Sequence, residues 1–210
     1  MRVLLSLLAI GFFLQAPPAL EPGFTALWNG KDFTNWRLAT PESFAIENGA
    51  IVAHGKAGPG HAFYDGPFRN HSFRNFELKV DVMTRKGSNG GIYMMTEFVE
   101  KGWPAKGFEV QVNNTYEKDQ RKTGSLYMVA DVNTPPAKDD VWFTEHIIVS
   151  GDTITVRVND VQTVKWTQPA DWPGVKGTPG RRLAPGTVAL QAHDPASTVL
   201  YRNIRIKPLD

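Results

Sequence analysis

Apolar and polar residues alternate with a period of two along most of the chain after its first twenty residues, the pattern of half-buried strands. "RNFELKVDVMT" sets Phe76, Leu78, Val80 and Val82 against Glu77, Lys79 and Asp81. "SFAIENGAIVAHG" alternates on both sides of Asn48-Gly49, a dipeptide suited to a two-residue hairpin turn because both positions tolerate positive φ. Further strands are predicted in "GGIYMMTEF", "GFEVQVNN", "SLYMVADV", "GTVALQAHD" and "VLYRNIRIKPL". "VWFTEHIIVSGDTITVRVNDVQTVKWT" reads as three strands broken at Ser150-Gly151-Asp152 and Asn159-Asp160. No stretch carries an apolar stripe at helical period, and Gly or Pro recurs about every ten residues. Short strands at this spacing predict an all-β antiparallel sandwich. One long run, Gln168 to Gly186 ("QPADWPGVKGTPGRRLAPG"), has no strand pattern and is expected to be a binding loop.

The chain has 210 residues, of which 41% are hydrophobic, enough for one domain with a core that needs no covalent staples. It has no Cys, and its formal net charge is +2 with no basic run interleaved with aromatics, so neither a disulfide scaffold nor a nucleic-acid surface is expected. The opening "MRVLLSLLAIGFFLQAPPAL" has one basic residue and then an apolar run from Val3 to Leu14. That run is short for a membrane span and has the build of a secretory signal peptide. The expected organisation is a leader over residues 1–19 and one domain over 20–210, exported to a bacterial periplasm or beyond, with no membrane contact after cleavage. Sequons at Asn70 and Asn113 are then chance matches.

Three strands carry unusual polar faces. Glu109 and Gln111 share one face of "GFEVQVNN", opposite Phe108, Val110 and Val112. Gln191 and His193 share a face of "VALQAHD". Gly91, Tyr93 and Met95 share one in "GGIYMM", after the turn Ser88-Asn89-Gly90. A carboxylate, amides and an imidazole around an aromatic suit the hydroxyls and apolar faces of a small carbohydrate. Each alone has an ordinary structural explanation, and His54, His61, His71 and His146 are expected to be structural or simply exposed.

The segments "GFTALWNGKDFTNW", "FAIENGAIVAHG", "NFELKVDVMTRKGSNGGIYM", "GFEVQVNN", "KTGSLY" and "GTVALQAHD…VLYRNIRIKPL" are similar, in order and spacing, to those of the 3-keto-disaccharide hydrolase family. The resemblance runs from Gly23 to Leu209 and implies a concanavalin-like jelly roll of two antiparallel sheets. Three places depart from the family pattern: Asn113 stands for Asp, "Leu190-Gln191-Ala192-His193-Asp194" for Leu-Gln-Asp-His-Gly, and "Ser88-Asn89-Gly90-Gly91" for Gly-Asn-Ser-Gly. By alternation, Ala192 faces the core.

The resemblance implies cleavage of glycosides already oxidised at C3. The ketone acidifies C2–H, a base removes that proton, and the enolate expels the C1 substituent by β-elimination, with hydration completing net hydrolysis. Such chemistry needs a base, a group to hold the enolate oxygen and an acid for the leaving group. The expected catalytic residues are Glu109 or His193 as base and Lys122 as enolate stabiliser. Gln111, Asn113 and Gln191 are expected to bind hydroxyls and Tyr93 to serve as a platform. A divalent ion on Glu109 and His193 is an alternative way to polarise the ketone. The rival function is a non-catalytic carbohydrate-binding module using the same sheet face. An ordinary jelly-roll glycosidase would carry Glu-x-Asp-x-x-Glu on one strand, which this chain lacks.

Overall fold

The computed structural model describes residues 20–210, so the leader expected over residues 1–19 lies outside the described residues. In chain order the strands are β1 (Thr25–Ala26), β2 (Trp36–Leu38), β3 (Phe44–Glu47), β4 (Ala50–Ala53), β5 (Gly60–Tyr64), β6 (Phe76–Thr84), β7 (Gly90–Thr96), β8 (Phe108–Val112), β9 (Phe143–Ser150), β10 (Thr153–Val158), β11 (Val161–Thr167), β12 (Thr187–Ala192) and β13 (Val199–Pro208). All pair antiparallel in two sheets. One runs β11-β10-β9-β6-β13-β4-β3 with β1 added on β13, and the other runs β2-β5-β12-β7-β8. This is the expected jelly-roll sandwich. Among the described residues no helix is long and apolar enough to cross a membrane.

The turn dipeptides behave as their chemistry requires. Asn48 and Gly49 have φ of 48° and 71°, and Asn159 and Asp160 have 47° and 66°, so both pairs make tight hairpins with left-handed central residues. The inward residues of both sheets fuse into one core that includes Leu78, Val80, Val82, Ile92, Phe108, Val110, Ile147, Leu190 and Tyr201. Ala192 lies in it, as alternation indicates.

The structure differs from the sequence pattern in three places. "SLYMVADV" is not a strand. The Ser125 hydroxyl donates to Lys122 O and accepts from Val132 N, and Val129 and Ala130 turn back onto Leu126 O. Side-chain bonding of this kind competes with a sheet ladder, and the segment closes on itself. Met95 does not share a face with Gly91 and Tyr93. It has a left-handed φ of 57°, beside a register shift between β7 and β12, which turns its side chain into the main core. Strands β1, β2 and β5 are present without having shown an alternating pattern.

Glu145 on β9 points into the same core as Phe143 and Ile147, and neither of its carboxylate oxygens meets a donor. Burial pushes its pKa well above 4.5, opposed only weakly by the Gly124 amide, which donates to Gln111 O. The folded protein therefore holds a proton here that the unfolded chain releases near pH 4.5. The stability this supplies is complete below that pH and is lost as pH rises toward the folded pKa. Glu145→Gln cannot ionise, so its melting temperature at pH 8 should exceed wild type by about 3–5 °C per unit of pKa elevation. Thermal unfolding at pH 4, 6 and 8 checks this; parallel pH dependences in the two proteins would refute it.

Candidate active site

The outer face of the five-stranded sheet is where the polar residues gather. Register places Glu109 opposite Tyr93, Tyr93 opposite Ala189, Ala189 opposite Phe63 and Phe63 opposite Arg37. One step along, Gln111 pairs with Gly91, and Gln191 pairs with His61. An antiparallel sheet usually leaves such a face in water. Here β5, β7, β8 and β12 are buried throughout. Three irregular segments cover them: residues 97–107, 113–132 and 168–186. The first and third meet where Gly107 N donates to Gly180 O. Between them lies a cleft of about 210 Å³ lined by Asn89, Tyr93, Trp103, Glu109, Gln111, Asp119, Tyr127, Thr178, Arg181, Gln191 and His193. A separate cavity of about 270 Å³ lies beyond Phe63 and Phe98, around Arg37, Thr96 and Glu97. Its carboxylates, Asp65 and Glu97, are exposed and paired with His71 and Lys106, so it lacks the buried charge of the first cleft.

Glu109 sits at the centre of that charge. Gln191 Nε2 donates to Glu109 Oε1 at 2.9 Å and approaches the Tyr93 hydroxyl at 3.4 Å, and Arg181 Nη2 stands 3.6 Å from Glu109 Oε2. Burial raises the Glu109 pKa above 4.5, while Arg181, Tyr93 and Gln191 pull it partly back. The result is a carboxylate more basic than an ordinary one. Gly91 makes room for it: a Cβ there would stand 2.5 Å from Glu109 Oε1. Arg181 is held through its backbone, whose carbonyl accepts from Trp172 Nε1 at 2.8 Å. Its Nε and Nη1 have no acceptor, although the side chain is buried.

His193 stands at the other end of β12, its ring against Trp103 and Tyr116 at 5.6 Å each. Its Nδ1 faces Asp194 Oδ2 at 2.8 Å. Asp194 also accepts from the Ser197 hydroxyl and the Ala196 amide. Burial disfavours the Asp194 anion, but the bonds from Ser197, His193 and Ala196 outweigh it and hold its pKa below 3.8. A fixed anion on Nδ1 orients the ring. His61, beneath, is buried with both ring nitrogens unpartnered; burial, then the charge of His193, lower its pKa to about 3, so it is neutral.

The structure thus brings together Glu109, Gln111, Gln191 and His193, and places Tyr93 in the floor. With Tyr93 at 1% exposure, its ring is no open platform. Two expected residues lie elsewhere. The Lys122 ammonium donates to the carbonyls of Tyr116 (2.8 Å) and Asp119 (3.1 Å) and reaches Asn113 Oδ1 at 3.4 Å, so it ties the 113–122 loop together and does not line the cleft. Asn113 does the same, donating to the carbonyls of Asp119 and Arg121 and accepting from Tyr116 N. Residues not anticipated include Arg181, Trp103, Tyr127, Asp119 and His61. The unpatterned run 168–186 signalled the first, but nothing local signalled the others.

Several buried polar atoms around the cleft lack partners: Asn89 Oδ1, Gln111 Nε2, Thr178 Oγ1, Gln191 Oε1 and the two Arg181 nitrogens. Buried polar groups are normally satisfied, so such a concentration marks a place where a hydroxyl-rich ligand would complete the bonding. Among the described residues no three His, Asp or Glu side chains are arranged to hold a metal. The Glu109–His193 pair is a poor fit for a divalent ion, because the Arg181 cation already flanks Glu109.

Two antiparallel sheets with a polar cleft on one outer face make this a concanavalin-like jelly-roll protein. More narrowly, residues 23–207 match the 3-keto-alpha-glucoside-1,2-lyase-like domain, and the chain belongs to that family. It is similar to a 3-keto-disaccharide hydrolase of Bacteroides thetaiotaomicron, 27% identical over 240 residues that span 94% of this chain and 82% of the relative. A solved structure from Parabacteroides distasonis, provisionally named a glycosyl hydrolase, superposes with TM-score 0.74 at 23% identity, covering 90% of this chain and 94% of the other. A non-specific endo-β-1,3(4)-glucanase superposes with TM-score 0.57 at 15% identity, covering 90% and 93%. At these identities the two structures speak to the fold alone.

Proposed function

We propose that the protein cleaves 3-keto-glycosides, including 3-keto-disaccharides, by elimination across C1–C2 followed by hydration. The observation that carries this reading is the buried Glu109–Arg181 pair, a basic carboxylate beside a guanidinium with unused donors, in a cleft of orphaned amides. The family and the relative's name point to the same substrate class.

In this mechanism Arg181 binds the C3 oxygen and Glu109 removes the C2 proton, sending the C–H electron pair into an enolate. The C3 carbonyl then re-forms, C1=C2 forms, and the C1–O bond breaks. His193, protonated and oriented by Asp194, gives its proton to the departing oxygen. For hydration the roles reverse: neutral His193 takes a proton from water adding at C1, and Glu109 returns its proton to C2. Gln111, Gln191 and Asn89 hold hydroxyls. Each group ends in its starting state, and no other reactant is consumed.

The test is to incubate residues 20–210 with a 3-keto-glucoside and with its unoxidised parent. Release of the leaving group from the keto form alone supports the reading. Release from both would indicate an ordinary glycosidase, and binding of both without release a carbohydrate-binding module. A sharper check uses Gly91. In Gly91→Ala the new methyl must displace Glu109 from Gln191. Overpacking costs about 1–3 kcal/mol, whereas a misplaced base should cost about a hundredfold in kcat. Thermal unfolding beside kinetics separates the two, and a folded Gly91→Ala variant with wild-type kcat would count against Glu109.

A further inference from the structure

We infer that Trp103 is the platform on which the leaving group's ring stacks, and the residue that decides between a cyclic and a small C1 substituent; this rests on the proposed function above. The cleft is graded. Tyr93, Gln111 and Gln191 on its floor are essentially inaccessible, while Trp103 at its mouth is 48% exposed, large for an indole on a structured loop. The ring is held from behind. The His61 imidazole meets it nearly perpendicularly at 5.6 Å (83°), and His193 lies tilted against it at the same distance (37°). Its loop is anchored by the Gly107–Gly180 bond, and Gly107 packs so closely on the Met94 and Met95 backbone that no side chain could replace its hydrogen. Trp103 is therefore packed against two imidazoles yet half exposed at the mouth of the cleft.

His193, the proton donor to the departing oxygen, touches Trp103 directly. A leaving group bonded to that oxygen must lie beside Trp103, at the end of the cleft through which it escapes. An indole face offers dispersion and CH–π contact to the apolar face of a pyranose, and it offers a methyl group far less. Tyr127 and Asp119, which also line the cleft, supply hydrogen-bonding groups for hydroxyls.

The experiment compares a 3-keto-disaccharide with methyl 3-keto-glucoside, both alkoxide leaving groups, in wild type, Trp103→Ala and Trp103→Phe. Trp103→Ala should lose about tenfold or more in kcat/KM on the disaccharide relative to the methyl substrate, mainly through KM, since lost stacking weakens binding. Trp103→Phe should recover most of that loss. Equal losses on both substrates, or none, would overturn the inference. Binding of the unoxidised disaccharide, read by isothermal titration calorimetry, needs no turnover. If wild type binds it tighter than methyl glucoside and Trp103→Ala does not, while nothing is cleaved, the platform stands and the reaction assignment falls. If no preference appears in binding, the platform itself is wrong.

Discussion

Arg181→Gln is expected to lower kcat on a 3-keto-glycoside by about a hundred- to a thousandfold, and Lys122→Met to leave it within a fewfold of wild type. Each wild-type residue is the nearest cation that one argument offers for the developing enolate. In sequence Lys122 follows the polar strand closely and is the natural choice. In the fold its three donors are spent on the Tyr116 and Asp119 carbonyls and Asn113, while Arg181 stands beside the base with two free donors. Removing a donor aimed at developing charge in a water-poor site typically costs two to three orders of magnitude, about 3–4 kcal/mol. Losing Lys122 should appear instead as reduced stability, about 1–3 kcal/mol for carbonyls left without donors. A pH profile adds a second readout. Arg181 helps keep Glu109 ionised, so without it the Glu109 pKa climbs further. The acid limb of kcat/KM then moves to higher pH. Arg181→Lys, which keeps the charge but not the planar fork, guards against a variant that simply fails to fold. An Arg181→Lys or Arg181→Gln protein that folds and turns over normally would remove this residue from the mechanism.

The contrast shows what the sequence could and could not reveal. Alternation and positive-φ turn dipeptides are local, so β3 with β4 and β9 through β11 were legible from composition at each position. The outer-face residues Glu109, Gln111, Gln191 and His193 were legible for the same reason, because polar groups at period two on otherwise apolar strands stand out. β5 was not. His61 and Phe63 on its outer face are as buried as Ala62 and Tyr64 on its inner face, so the strand shows no polar alternation. Its histidine read as a bystander. Arg181 and Trp103 come from segments without periodicity, joined over the sheet by a backbone bond at Gly107–Gly180, while an indole bond from Trp172 fixes Arg181 within its own loop. The Gly107–Gly180 contact joins positions far apart in the chain, and no local pattern encodes it. Asn113 illustrates the opposite error. It continues the alternation of Glu109 and Gln111, but the strand ends at Val112, and one residue later the same amide caps a loop.

The roles of Glu109 and His193 separate by leaving group. If Glu109 takes the C2 proton, Glu109→Gln should reduce kcat/KM by about a hundred- to ten-thousandfold, and equally for a sugar and a 4-nitrophenyl leaving group, since neither changes the acidity at C2 enough to replace a base. If His193 protonates the departing oxygen, His193→Asn should cost a comparable factor for the sugar, a poor leaving group as an alkoxide. It should cost much less for nitrophenolate, which departs unprotonated. Asp194→Asn should follow His193→Asn in kind and be weaker in degree, because it removes the anion that orients Nδ1. The pH dependence has a matching sign. Glu109 must be ionised, so activity rises with pH through its burial-elevated pKa, on the acid side. The reverse pattern, with His193→Asn indifferent to the leaving group and Glu109→Gln sensitive to it, would exchange the two roles and make His193 the base. Sensitivity in neither would place the chemistry elsewhere in the cleft.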